Sequence, residues 1–326
     1  KKKLYIYLNL VKRRYLMYKA IFKNSFLFFI LNVSLTFGQQ DPQITQNMFD
    51  KFLYNPGVVG SQPSVNVGLL HRSQWVGVPG APTTQNLTVE SRIEALNGGI
   101  GLNVVNDALG PLSTKTATLS YAYQLRLNEN NQLGFGFSFG MMQIGFEEEW
   151  ITPDGQIDSS LPPTGTSATV PDIGLGLYFT SENYYLGLSI THLVPFEANF
   201  DGVATFNPAR HYYIAAGYDY DIDEQFSVRP SYYMKTDGVI FQMDFNVNAF
   251  YQQKHWVGFS YRIEDAIAFL VGAELTNNLT LGYAYDFVTS KLASETTGGH
   301  EVMLRYSFDL DIIGKPDTRY KNVRFL

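Results

Sequence analysis

From residue 64 to residue 309 the sequence alternates with a period of two, again and again. That alternation limits the chain to β-strands with two chemically distinct faces. In residues 114–127, Thr114, Thr116, Thr118, Ser120, Ala122, Gln124 and Arg126 share one face, and Ala117, Leu119, Tyr121, Tyr123, Leu125 and Leu127 share the other. Leu133, Phe135, Phe137 and Phe139 alternate with Gly134, Gly136, Ser138 and Gly140. Phe241, Met243, Phe245 and Val247 alternate with Gln242, Asp244, Asn246 and Asn248, and Val302, Leu304, Tyr306 and Phe308 with Glu301, Met303, Arg305 and Ser307. A soluble sandwich would cover its outer face with Lys and Glu. Here the second face is Gly, Ser, Thr, Asn and Ala with isolated charges, which suits a polar lumen whose opposite wall touches lipid. In hydrocarbon every backbone N–H and C=O must be paired, so such a sheet must close on itself. The reading is an all-β protein, a transmembrane antiparallel up-and-down β-barrel of about 14 strands.

Strands are expected near 64–75, 83–94, 99–106, 113–127, 131–146, 172–180, 184–193, 210–219, 226–235, 239–252, 255–262, 267–275, 279–287 and 300–309. That even count places both chain ends on one side. The connections then sort themselves. Residues 95–98, 128–130, 181–183, 221–225, 253–254 and 276–278 are short polar turns on one side, and the long connections near 147–171, 194–209 and 288–299 fall on the other. The expected setting is the outer membrane of a Gram-negative bacterium, with both termini and the short turns periplasmic and outer-membrane lipid against the apolar face.

The chain divides accordingly. Residues 1–38 hold eight of the basic residues and no acidic one, and Ser25–Phe37 is a short apolar run behind Lys19 and Lys23. This is the layout of a secretory signal peptide, too short to span a bilayer comfortably; Met17 offers an alternative start. Residues 39–62 lack the strand pattern and are expected in the periplasm, a candidate plug for the lumen. Residues 63–309 form the barrel, and residues 310–326 a basic periplasmic tail.

Charge and composition remove several function classes. Beyond residue 38 the chain holds 16 basic against 30 acidic residues, a net charge of −14 that argues against a nucleic-acid partner. With no Cys there is no disulfide framework and no thiolate metal site. His71, His192, His211, His255 and His300 show no metal-binding spacing, and GxSxG is absent. No cofactor, metal or catalytic residue is expected, and the protein is read as not an enzyme. A catalytic His–Ser or carboxylate pair at the outer rim would overturn that.

The lumen face carries Glu90, Arg92, Arg126, Arg229, Asp244, Arg262, Glu274, Asp286, Glu301 and Arg305. Such charges suit either a selective pore or ion pairs that fill and stiffen a narrow lumen, and the second is favoured. The acidic run Glu147–Glu149 before Trp150 reads as a solvated loop edge.

Four stretches resemble the PorP/SprF family. Gln40-Asp41-Pro42-Gln43-Ile44-Thr45-Gln46-Asn47-Met48-Phe49, then Tyr54-Asn55-Pro56-Gly57 and Gly60-Ser61, is similar to its QDPxFTQYMFNPLxxNPAxAGS opening, although Asp50–Leu53 stands where the family has Asn-Pro. Arg72-Ser73-Gln74-Trp75-Val76-Gly77 with Gly80-Ala81-Pro82 resembles RxQWxGxxGAPxTQ. Tyr184–Ser189 with His192-Leu193 resembles FYxGLSxxHL, and His211-Tyr212-Tyr213 with Gly217-Tyr218 and Pro230-Ser231 resembles HYYxxxGY…PS. The resemblance implies an outer-membrane component of the type IX secretion and gliding machinery. Its implied partners are other secretion components and a secreted adhesin bearing a C-terminal secretion signal. The chain would act as adaptor or docking platform; the alternative is a diffusion porin or small-solute channel. Lumen or partner contacts are expected at Arg72, Trp75, Arg126, Arg229, Asp244, Arg262, Glu301 and Arg305. Among them, Arg72 is placed to hold the opening segment and Trp75 to anchor at the outer rim.

Overall fold

The computed structural model describes residues 41–147, 162–200, 202 and 204–309. Residues 1–38, expected as a signal peptide, Glu148–Trp150 of the acidic run and the tail 310–326 lie outside the described residues. The strands are β1 (Val65–Ser73), β2 (Thr83–Ile93), β3 (Gly98–Leu109), β4 (Leu112–Arg126), β5 (Gln132–Phe146), β6 (Ser167–Thr180), β7 (Tyr184–Thr191), β8 (Ala198–Phe200), β9 (Ala204–Phe206), β10 (His211–Tyr218), β11 (Tyr220–Asp221), β12 (Phe226–Thr236), β13 (Phe241–Tyr251), β14 (His255–Arg262), β15 (Ala266–Thr276), β16 (Leu279–Val288) and β17 (Gly299–Phe308).

Each barrel strand pairs antiparallel with its neighbours, and β17 returns to β1, with Val65 opposite Phe308 and Ser73 opposite His300. The short β8 and β9 form a hairpin of their own, so β7 pairs with β10 and β10 with β12. β11 prolongs β10 along β12. With those three set aside, the sheet is a closed barrel of 14 antiparallel strands without an edge.

The alternation explains the wall. On β4, Leu119 is 68% exposed toward the outside while Ala122 and Gln124 are buried within. An outer face this apolar is stable only against hydrocarbon. Strand ends match the expected ones to within about two residues except at two places. β3 runs on to Leu109, where Asn106 and Asp107, turn residues by type, are tied across the strand pair: the Asn106 amide donates to Gln85, and Asp107 accepts from Thr84. β6 begins at Ser167 despite Pro171. Residues 167–171 pair only with β5, since β7 reaches no further than Leu175, and a strand paired on one edge tolerates proline.

At the long-loop end the inner face turns apolar. Met142, Ile144, Phe146 and Val170 pack with Ala198 and Phe200 of the β8–β9 hairpin, the Phe146 and Phe200 rings lying 5.1 Å apart.

Candidate functional site in the barrel lumen

Residues 41–60 do not hang free at the short-turn end; they take the course of the candidate plug. They run through the lumen. Asp41 lies at the long-loop ends of β7 and β10, bonded to Thr191, His192 and Tyr213. Gly60 lies against Gly98 and Gly99 at the short-turn end. Two 3-10 turns, Lys51–Leu53 and Pro56–Val58, shape the path between.

The upper part of the segment is held by charge. Arg72 faces Glu301 across β1 and β17, and Asp244 faces Arg262 across β13 and β14. Arg72 Nη1 is 3.1 Å from Glu301 and Nη2 is 2.6 Å from Asp286. Arg262 lies 3.2 Å from both Asp244 and Asp286. Neutral pairing alone would leave one carboxylate over. The segment supplies the balance with backbone donors: the Thr45 and Gln46 N–H groups donate to the two oxygens of Glu301 at 2.8 and 2.7 Å. The Thr45 hydroxyl donates to Asp286 at 2.9 Å and accepts from Arg72 at 2.7 Å and Arg262 at 3.1 Å. One proton and two lone pairs are all a hydroxyl has, and here all are used. These groups are buried, where an unpaired charge would be strongly destabilising. Charge-assisted bonds to the segment are therefore part of what makes the lumen stable.

The lower part is held by shape. Asn55, Pro56 and Gly57 turn against β5 and β6 at Gly134, Gly136 and Gly176. A Cβ on Gly136 would stand 2.2 Å from the Gly57 nitrogen, and one on Gly176 would stand 2.1 Å from Asn55 Oδ1. The Asn55 side chain accepts from the Gly57 N–H at 2.8 Å and donates to Leu177 O at 3.0 Å. Phe52 and Val59 pack over Gly101. Tyr54 stacks on Tyr213 and meets Tyr233 edge-on, with centroids 5.6 and 5.0 Å away. Wall side chains meet the remaining carbonyls: Gln124 reaches Gly57 O and Val59 O, Ser189 reaches Tyr54 O, and Arg305 reaches Phe49 O.

A third cluster holds the top. His192 Nε2 lies 2.8 Å from Asp41 Oδ1, and its Nδ1 lies 2.8 Å from Asp172. His211 accepts the Asp41 N–H through Nε2 and bonds Ala209 O through Nδ1 at 2.9 Å. Lys235 Nζ donates to the Asp41 carbonyl at 2.6 Å. Burial by itself would push the Asp41 carboxyl up, but His211 and His192 outweigh it and hold it well below the usual carboxylate range. Burial likewise opposes charge on His192, yet Asp41 and Asp172 push its pKa up to about 10.

Of the residues expected to act in the lumen, Arg72, Asp244, Arg262 and Glu301 meet in one network together with Asp286, and Arg305 bonds the segment lower down. Arg229 is set apart at the short-turn end, 3.4 Å from Asp219 and stacked 4.0 Å over the Phe250 ring. Arg126 has the lumen parity but stands exposed at the end of β4, opposite Gln132, and joins nothing in the network. Glu90 is buried near Gly60, Arg92 reaches Gly60 O at 3.1 Å, and Glu274 sits near the short-turn end of β15. Trp75 lies just past β1 in the connection to β2, half-buried, with a left-handed φ of 52°. His71 and Ser73 approach to 3.2 Å at that rim, without a carboxylate on the imidazole among the described residues.

The family model for the type IX secretion system membrane protein PorP/SprF matches residues 36–306, which takes in the segment and the barrel together. The chain belongs to the PorP/SprF family. PorP/SprF membership and the closed barrel together make it an outer-membrane β-barrel component of type IX secretion. No curated protein matches the chain. Among solved structures it is similar to the KdgM porin in complex with disordered oligogalacturonate (12% identity, 75% of this chain and 99% of that one, TM-score 0.40). It is also similar to the outer membrane protein Omp33 of Acinetobacter baumannii (10%, 75% and 99%, 0.45) and to the CymD monoaromatic hydrocarbon channel (13%, 81% and 92%, 0.45). Scores this low leave the fold to rest on the strand pairing of the PorP/SprF chain itself.

Proposed function

We propose that this barrel is a closed docking component of the type IX machinery, an adaptor that supports export or surface anchoring of large adhesins with C-terminal secretion signals, and that it is neither a diffusion porin nor an enzyme. The observation that carries the reading is the occupied lumen: residues 41–60 cross it on buried charge-assisted bonds and close glycine contacts. A porin needs an open water path, and a docking component does not. The short turns and the tail face the periplasm in this reading, and the long loops and the β8–β9 hairpin face out.

Gentle extraction of the tagged protein from native outer membrane, with mass spectrometry of its companions, tests the adaptor reading. An adhesin or periplasmic secretion subunits are expected. Recovery of the barrel alone, with channel conductance in planar bilayers, would reverse the conclusion in favour of a pore.

A further inference from the structure

We infer that Asp41, His192 and His211 form a binding site for one divalent transition-metal ion of the zinc class, which staples the lumen segment to the barrel wall. One carboxylate and two imidazoles offer ligand atoms that all lie within 4.8 Å of one another. Zinc holds His nitrogens at about 2.0–2.1 Å, which sets ligands roughly 3.3 Å apart. His192 Nε2 and Asp41 Oδ1 now share a direct bond of 2.8 Å, so the ion takes the place of that bond and the two atoms move slightly apart to admit it.

The surroundings are those that metal-bound ligands require. A ligating imidazole donates its other N–H to a carboxylate or a backbone carbonyl. His192 has Asp172 behind it at 2.8 Å on Nδ1. His211 Nδ1 bonds Ala209 O at 2.9 Å and also lies 3.6 Å from Asp41 Oδ1, so the His211 ring must turn to present Nε2 to the ion. Asp41 Oδ2 is fixed by the Thr191 and Tyr213 hydroxyls, which leaves Oδ1 turned toward the imidazoles. Two existing features must give way. The Asp41 N–H now bonds His211 Nε2 at 3.2 Å, a long bond that the ion replaces. A proton on His192 Nε2 is likewise released, since ligands bind metal in their deprotonated form. Lys235 places its charge on the far, carbonyl side of Asp41. A cavity of about 120 Å³ borders Asp41, Asp172 and His192, and the fourth ligand would be water entering from it. Imidazole with carboxylate suits zinc better than calcium or magnesium, which favour oxygen alone.

The full-length barrel, purified without chelator, stripped, and dialysed against Zn²⁺ or Co²⁺, tests the site. One ion per chain by elemental analysis is expected, with visible cobalt bands of a four-coordinate nitrogen and oxygen site. His192→Ala and His211→Ala should lose the ion. Asp172→Asn, which keeps every ligand, should weaken binding about 10- to 100-fold. His255→Ala, at the short-turn end of β14, should bind as the unaltered chain does. Heat-modifiable gel mobility reports whether each variant is a folded barrel, and the unaltered chain and Asp172→Asn decide the matter if the histidine variants are not. Substoichiometric metal in the unaltered barrel, unchanged affinity in Asp172→Asn, or full binding by folded His192→Ala or His211→Ala would overturn the site.

Discussion

The two halves of the lumen segment are held by opposite means. Residues 41–47 are gripped by charged side chains that would be badly placed without them. Residues 52–60 lie on a floor of glycines, where the grip is steric fit and van der Waals contact. The contrast teaches that one segment can be fixed by two independent locks. The upper lock is strong, directional and costly to break. The lower one rests on close fit, with neutral wall side chains meeting its carbonyls, and is intolerant of a single methyl.

Removing charge from the upper lock should have the largest effect. Arg72→Ala leaves Asp286 and Glu301 undercompensated in a buried site and should cost about 3–5 kcal/mol. Denaturant unfolding in detergent measures the loss. Trypsin cutting after Lys51, which lies in the segment, should speed up if the segment is released before the barrel opens. If Arg72→Ala leaves both readouts unchanged, the upper lock does not hold the segment.

Gly176→Val probes the lower lock. A Cβ there collides with Asn55 Oδ1, and overpacking of this kind costs about 1–3 kcal/mol. Cleavage at Lys51 should rise while barrel mobility on gels stays native, because the added side chain points inward and leaves the strand ladder intact. Next in size is Thr45→Val, isosteric but unable to serve Asp286 and the two guanidiniums, with a loss of about 1–3 kcal/mol. Paired with Arg72→Ala in a double-mutant cycle, its effect should be strongly non-additive; additivity would separate Thr45 from the network. The smallest effect belongs to Asn55→Ala, which removes the cap of the second 3-10 turn and should cost about 1 kcal/mol. A double variant of Asn55→Ala with Arg72→Ala should be additive, since the two locks share no partner.

The wall was far more legible in the sequence than what fills it. Alternation reports which face a residue occupies, so strand positions, the strand count and the inward direction of Arg72, Asp244, Arg262 and Glu301 could all be read. Their direct opposition across neighbouring strands also follows the expectation of ion pairs across the lumen. What alternation lacks is depth along the strand. Arg126 shares the lumen parity but sits at a strand end, where it meets water. Gly134, Gly136 and Gly176 read simply as small inward residues; that they are a seat for Asn55–Gly57 depends on a segment with no periodic pattern. The Asp41–Asp172–His192–His211 cluster escaped for the same reason. It joins an irregular segment to the ends of two strands, at His192 and His211, and to Asp172 within a third. The one available hint was the placement of His192 and His211 at the boundaries of two strand patterns flanking a long connection.

The seam between β1 and β17 has a consequence for the order of assembly. Glu301 and Arg305 belong to the last strand, yet they bond Thr45, Gln46 and Phe49 near the start, as far as 256 residues away in sequence. The lumen segment therefore finds no complete partner until the final strand has joined the first. Contacts of such separation form late. Protection of Lys51 from protease is therefore expected to appear only once the last strand is in place.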